Sequence, residues 1–131
     1  MMMVSSPRTT NLFYDDVATF LKSNKVWGNR DILLKGRSGF SHKFDFLLAP
    51  TDRRPETMIQ ALNTPSKQSV EYTLFGWSDT QAQRGNNSQL IVFLNDQKNM
   101  ISPSLLSALN EYEVEAFRWK NRKESLVKLF A

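Results

Sequence analysis

Cysteine is absent from the 131 residues, and histidine occurs once, as His42. The first absence excludes disulfides, thiolate zinc sites and cysteine nucleophiles together. The second excludes a histidine-rich metal centre and leaves no obvious Ser-His-Asp arrangement. No apolar run approaches the ~20 residues that a membrane-spanning helix needs. Met1 to Thr10 lacks the apolar stretch of a secretion signal and reads as a loose tail. The expectation is a cytoplasmic protein with a flexible segment over 1–10 and one α/β domain over 11–131. Neither a GxxxxGK[ST] loop nor a GxGxxG pattern occurs, so Gly36, Ser38 and Gly39 form a turn and no phosphate loop.

What is present is ordinary globular material. Apolar residues make up 40% of the chain and charged residues 23%, which argues against global disorder. The net charge of +4 permits a nucleic-acid or acidic protein partner without requiring one.

Leu12, Phe13, Val17, Phe20 and Leu21 recur at helical spacing, with Asn24 and Gly28 at the exit. Ile32 to Leu34 reads as a first strand. Ser41 to Leu48 alternates, with Phe44, Phe46 and Leu48 facing one way and Lys43, Asp45 and Leu47 the other. Thr57 to Asn63 is a third strand, with Met58, Gln60 and Leu62 on one face. Thr64-Pro65 is a helix start, and the helix runs to about Arg84 on a stripe of Val70, Leu74 and Trp77 widened by Tyr72 and Phe75. Leu90 to Leu94 is a central strand buried on both faces. Ser102-Pro103 opens a helix carrying Leu105, Leu106 and Leu109. Val114 to Trp119 is a last strand and Glu124 to Phe130 a last helix. The fold class is α/β, a mixed sheet of about five strands flanked by helices in the order α-β-β-β-α-β-α-β-α.

One pair stands out for chemistry. A turn symmetric about Asp52–Arg53 sets Pro50 opposite Pro55, and the same register sets Asp45 opposite Gln60 on one face. The order α-β-β-β-α-β over about residues 11–96, with an acid on the second strand, resembles the PD-(D/E)XK nuclease fold. That resemblance implies that Asp45 and Gln60 hold Mg or Mn and that a lysine two residues on assists the attacking water. Leu62 stands at that lysine position, and Lys43 or Lys67 would have to replace it. Asp45 and Gln60 otherwise read as a polar pair on a half-exposed strand.

Four segments, Phe40-Ser41-His42-Lys43-Phe44-Asp45-Phe46, Ile59-Gln60-Ala61-Leu62-Asn63, Leu74-Phe75-Gly76-Trp77-Ser78-Asp79-Thr80 and Ile91-Val92-Phe93-Leu94-Asn95-Asp96, are similar in order to an uncharacterised bacterial and prophage family, domain of unknown function eighteen-twenty-nine. The likeness spans about residues 32–120 and implies no reaction. It implies a setting in phage or mobile elements, where small domains serve as antitoxins or inhibitors of defence systems.

Trp77 reads as core, and Asp79 could line a pocket with Asp45. Arg118, Lys120, Arg122, Lys123 and Lys128 surround Trp119. Such a cluster could grip phosphates and stack a base, or be a solvated face with one packed tryptophan. The expected function is a non-catalytic nuclease-like module that binds a protein or nucleic acid and uses no cofactor. A metal-dependent nuclease is the alternative, and a structural or self-associating domain is a third reading.

Overall fold

The computed structural model describes residues 12–85 and 87–130, so the tail expected over 1–10 lies outside the described residues. The chain runs through α1 (Leu12–Ser23), β1 (Asn29–Lys35), β2 (Ser41–Leu48), β3 (Glu56–Leu62), α2 (Lys67–Arg84), β4 (Ser88–Leu94), α3 (Pro103–Glu111) and β5 (Glu115–Arg118). A 3₁₀ helix (Trp119–Ser125) and α4 (Leu126–Phe130) complete it. The five strands lie in sequence order across one sheet. β1, β2 and β3 are antiparallel neighbours, whereas β3–β4 and β4–β5 pair in parallel. Each parallel pair is joined by a helix, as parallel strands require. The expected element order therefore holds, with the 3₁₀ helix as an addition between the last strand and the last helix.

The sheet separates two apolar layers. On one side α1 packs Phe13, Val17, Phe20 and Leu21 against Phe46, Leu48, Ile59, Ile91 and Phe93, with Trp119 and Leu129 closing the layer. On the other side α2 and α3 pack Val70, Trp77, Leu105 and Leu109 against Met58, Leu90, Val92 and Leu94. β4 supplies residues to both layers, which is why its last five residues, Leu90 to Leu94, are all apolar and all buried.

The helix starts differ in one detail from expectation. Ser102 caps α3 with Pro103 at its first position, as expected, its side chain accepting from Ser104 N–H. The cap of α2 is Ser66 and not Thr64, because Ser66 and Ser69 satisfy each other's backbone N–H reciprocally. In α2 the buried face also departs from the expected stripe. Tyr72 and Phe75 are exposed, and the buried positions include Thr73, Gly76 and Thr80 beside Val70 and Trp77. Small residues let this helix lie close to the sheet; a Cβ on Gly76 would lie 3.3 Å from His42 Nδ1.

α1 ends in a Schellman-type turn. Val26 N–H bonds Leu21 C=O at 2.9 Å, Lys25 N–H bonds Lys22 C=O at 3.0 Å, and Lys25 takes the left-handed conformation at φ 59°. Gly28 follows because a Cβ there would meet Leu48 Cδ2 at 2.4 Å and the Leu47 carbonyl oxygen at 2.7 Å. The loop into β1 is thus pinned on both sides.

Among the described residues no helix is long and apolar enough to cross a membrane.

Candidate functional site

The β2–β3 hairpin has the register that the two prolines imply. Phe46 pairs with Ile59, Leu47 with Met58 and Leu48 with Thr57, and a bridge joins Thr51 to Arg54 in the turn. Extended by one step, that register sets Asp45 opposite Gln60. The backbone ladder ends before that step. β3 stays in parallel register with β4 along its whole length, from Glu56–Ser88 to Leu62–Leu94. β2 instead turns away to follow β1.

Side chains bridge the resulting fork. Asp45 N–H donates to Gln60 Oε1 at 3.0 Å, Gln60 Nε2 donates to Lys43 C=O at 2.8 Å, and Ala61 N–H donates to Asp45 Oδ2 at 2.8 Å. Each side chain thus replaces a partner that the opposite backbone has lost. The same point is where β2 changes the layer it serves. Phe46 and Leu48 lie under α1, whereas Phe44 meets Trp77 edge to face at 6.3 Å on the other side. The expected sharing of one face by Phe44, Phe46 and Leu48 is therefore corrected: the bend at Asp45 moves the covered side while the alternation of residue types continues. β1 bends in step, since Asp31, across from Asp45 between the pairs Arg30–Phe46 and Ile32–Phe44, adopts φ 54°.

One lysine serves the two carboxylates at the fork. Lys43 Nζ lies 3.3 Å from Asp31 Oδ1 and 4.0 Å from Asp45 Oδ1, and Tyr14 Oη donates to Asp31 Oδ2 at 3.3 Å. Burial raises the Asp45 pKa above its ordinary value of 3.8, against the opposing pull of the Ala61 N–H and Lys43. Ionisation of Asp45 therefore works against the folded state. Its contribution to stability is fully present below pH 3.8 and is lost as pH rises through the raised folded value. Asp45→Asn, which keeps an acceptor for Ala61 and removes the buried charge, should be at least as stable as wild type at pH 7. Asp45→Ala should lose about 1–3 kcal/mol by stranding the Ala61 N–H. Urea unfolding of the two variants at pH 7 checks the contrast.

A hard divalent cation takes several oxygen ligands, usually charged. The fork holds two carboxylates, Asp31 and Asp45, but Lys43 lies against both, Tyr14 donates to Asp31, Ala61 N–H occupies Asp45 Oδ2, and the Gln60 amide oxygen is oriented onto the Asp45 N–H. No group of three or more His, Asp or Glu side chains gathers among the described residues. Leu62 is half-buried against the Trp77 layer and offers no amine. The residues present do not fit a nuclease metal site.

Asp79 lies elsewhere, against the β1–β2 turn. Its Oδ1 accepts Ser38 N–H at 2.8 Å, and its Oδ2 accepts Ser38 Oγ at 2.6 Å and contacts His42 Nε2 at 2.8 Å. Arg37 N–H bonds the Asp79 carbonyl at 3.0 Å. The single histidine is thus buried in a tie between a turn and a helix. Sequence reasoning missed this tie because its members are 37 and 41 residues apart; the glycine-serine turn beside a lone histidine was the available signal.

The C-terminal basic cluster divides in two. Trp119 is 5% exposed and packs edge-on to Phe13, Phe20 and Phe93. Arg122 covers it, with the guanidinium 4.6 Å from the ring centroid and one nitrogen donating to Trp119 C=O. Lys128 lies 3.9 Å from Glu115, and Lys123 is exposed. Arg118 and Lys120 instead line a groove of about 310 Å³ with Lys98, Asn99 and Asp96. Asp96 is buried and accepts Lys120 N–H at 3.0 Å, fixing the groove wall. Lys98 had no signal in the sequence, since it sits alone in a polar loop.

This groove lies outside the carboxyl ends of β4 and β5, the place where open α/β sheets bind ligands. α2 and α3 both begin at that edge, so two helix N-termini add positive potential to the lysines and arginine. A smaller adjoining hollow is walled by Asn63, Asn95 and Lys98.

The profile of the family described as "Domain of unknown function DUF1829" matches residues 36–122. A solved structure, that of a protein of unknown function, AF1548, is similar with a TM-score of 0.63 at 15% identity, over 84% of this chain and 59% of that one. That likeness speaks for the fold alone. A comparison with curated proteins finds no match.

Proposed function

The chain belongs to the DUF1829 family, and on that premise we propose a non-catalytic, nuclease-fold-like module that binds nucleic acid along the carboxyl edge of its parallel strands. The observation that carries the non-catalytic part is the fork. Asp45 and Gln60 hold two diverging strands through three backbone hydrogen bonds, and Leu62 occupies the position where a nuclease of this strand order would need a lysine. Chemistry that asked these side chains to bind metal would compete with their work as a clamp. The binding part is supported by the groove of Lys98, Arg118 and Lys120, whose one acid, Asp96, is turned inward. Such an edge suits a phosphate backbone better than an acidic protein, since its cations line up along the ends of successive elements. In a phage or mobile element, a module of this kind would act as an antitoxin or defence inhibitor by occupying nucleic acid.

Fluorescence anisotropy with a labelled oligonucleotide across a salt series tests the reading. Affinity should fall with salt, and Arg118→Ala with Lys120→Ala should reduce the log–log slope by about 1.4–1.8, two phosphate contacts' worth. Affinity indifferent to salt would sink the groove. Cleavage with Mg²⁺ or Mn²⁺ that Asp45→Ala abolishes would sink the non-catalytic reading.

A further inference from the structure

The tryptophan that the sequence placed among cations is buried, yet another is not. Trp27 is 65% exposed, whereas Trp77 and Trp119 are 2% and 5% exposed. It borders a crevice of about 70 Å³ with Lys22 and Arg30 on its rim. Lys25, also exposed, precedes it by two residues.

Three features distinguish this residue from a stray surface aromatic. First, its backbone is held: the Schellman-type turn ends at Val26 on one side, and Gly28 is wedged against Leu47 and Leu48 on the other. An indole on a pinned loop gives up little freedom on binding. Second, its neighbours are cationic. Lys22 and Arg30 rim the same crevice, the exposed Lys25 stands two residues before it in the chain, and the nearest acid in sequence, Asp31, already faces Lys43 and Tyr14. Third, the crevice is too small to take in a nucleobase, so a ligand would lie on the indole face and not inside a pocket. A flat ring with phosphates on both sides is the chemistry that a fixed indole amid lysines and arginine receives.

We propose that Trp27, flanked by Lys22, Lys25 and Arg30, is a stacking platform for an unpaired base of single-stranded nucleic acid. The site is separate from the groove. Asn29 pairs with Leu47 and Leu47 with Met58, so Trp27 stands at the edge where β3 begins, opposite the edge where Arg118 and Lys120 lie. Duplex DNA keeps its bases stacked inside and would leave the indole unused. The inference draws its ligand class from the nucleic-acid reading but does not need the groove.

Trp27 is its own probe, because the other two tryptophans are buried. Oligothymidylate of about 15 residues should quench the exposed emission, and a duplex of equal length should not. Trp27→Ala should weaken oligothymidylate binding about 5- to 150-fold by anisotropy, with Trp27→Phe in between and both variants keeping the wild-type far-ultraviolet spectrum. Quenching that persists in the Arg118→Ala, Lys120→Ala variant would support the platform while removing the groove. Oligothymidylate binding by anisotropy with unchanged tryptophan emission, and equal affinity in Trp27→Ala, would overturn the platform and leave the groove. Absence of any oligothymidylate binding would overturn the platform as well.

Discussion

Trp119→Ala should destabilise the domain by about 3–5 kcal/mol, the usual cost of truncating a large buried aromatic. The indole meets Phe13 at 5.2 Å, Phe20 at 5.6 Å and Phe93 at 5.8 Å, each edge to face. It therefore joins α1, the central strand β4 and the 3₁₀ helix in one contact. Its removal also leaves the Arg122 guanidinium without the ring that it covers. Denaturant unfolding should show a lower midpoint with little change in slope. Lys120→Ala, one residue away and exposed, should leave the midpoint where it is and weaken oligonucleotide binding. If instead Trp119→Ala kept full stability and lost binding, the tryptophan would be a surface contact and the α1 layer would need a different account.

Gly36→Ala is the second large effect expected. Gly36 has no positive φ that would demand glycine; space demands it. A Cβ would lie 2.0 Å from Asp79 Oδ2 and 2.5 Å from Cγ, so the carboxylate must leave its place. With it go the bonds to Ser38 N–H, Ser38 Oγ and His42 Nε2. Overpacking and stranded donors together should cost about 3 kcal/mol or more. The acid limb of the stability curve gives an independent reading. The Ser38 hydroxyl first, and His42 after it, hold the Asp79 pKa below its ordinary 3.8. A carboxyl depressed on folding contributes stability above 3.8 that is lost as pH falls through the lower folded value. Gly36→Ala should remove this part of the dependence, so its unfolding midpoint should change less than that of wild type below pH 3.8. A variant as stable as wild type, with the same acid limb, would mean that the tie bears no load.

These two residues mark the limits of what the chain discloses by pattern. The hairpin register was legible because Pro50 and Pro55 frame a turn whose symmetry carries directly to Asp45 and Gln60. The buried central strand was legible in the unbroken run Leu90 to Leu94, and the α3 start in Ser102-Pro103. Trp119 was read in two ways because charged neighbours on both sides look the same whether the ring between them points in or out. The strand ends at Arg118 and the 3₁₀ turn sends the ring under α1. The Asp79 tie depends on tertiary approach between residues far apart in the chain, which no local period encodes. In β2 the alternation from His42 to Leu48 persists while the covered side changes at Asp45, so period 2 predicts the wrong partner for Phe44. The breadth of the α2 stripe misled for a related reason. Thr73, Gly76 and Thr80 are small enough to bring the helix down onto the sheet, which leaves Tyr72 and Phe75 outside.

On the proposed reading, Asp45 and Gln60 clamp a fork and do not run a reaction. Gln60→Glu separates the two most directly, since it restores the acid that a nuclease would use while removing the amide that donates to Lys43 C=O. The clamp predicts an unfolding free energy lower by about 1–3 kcal/mol at pH 7, unchanged by millimolar Mg²⁺ or Mn²⁺. Wild-type stability in Gln60→Glu, rising on addition of either metal and accompanied by cleavage of DNA or RNA, would contradict it.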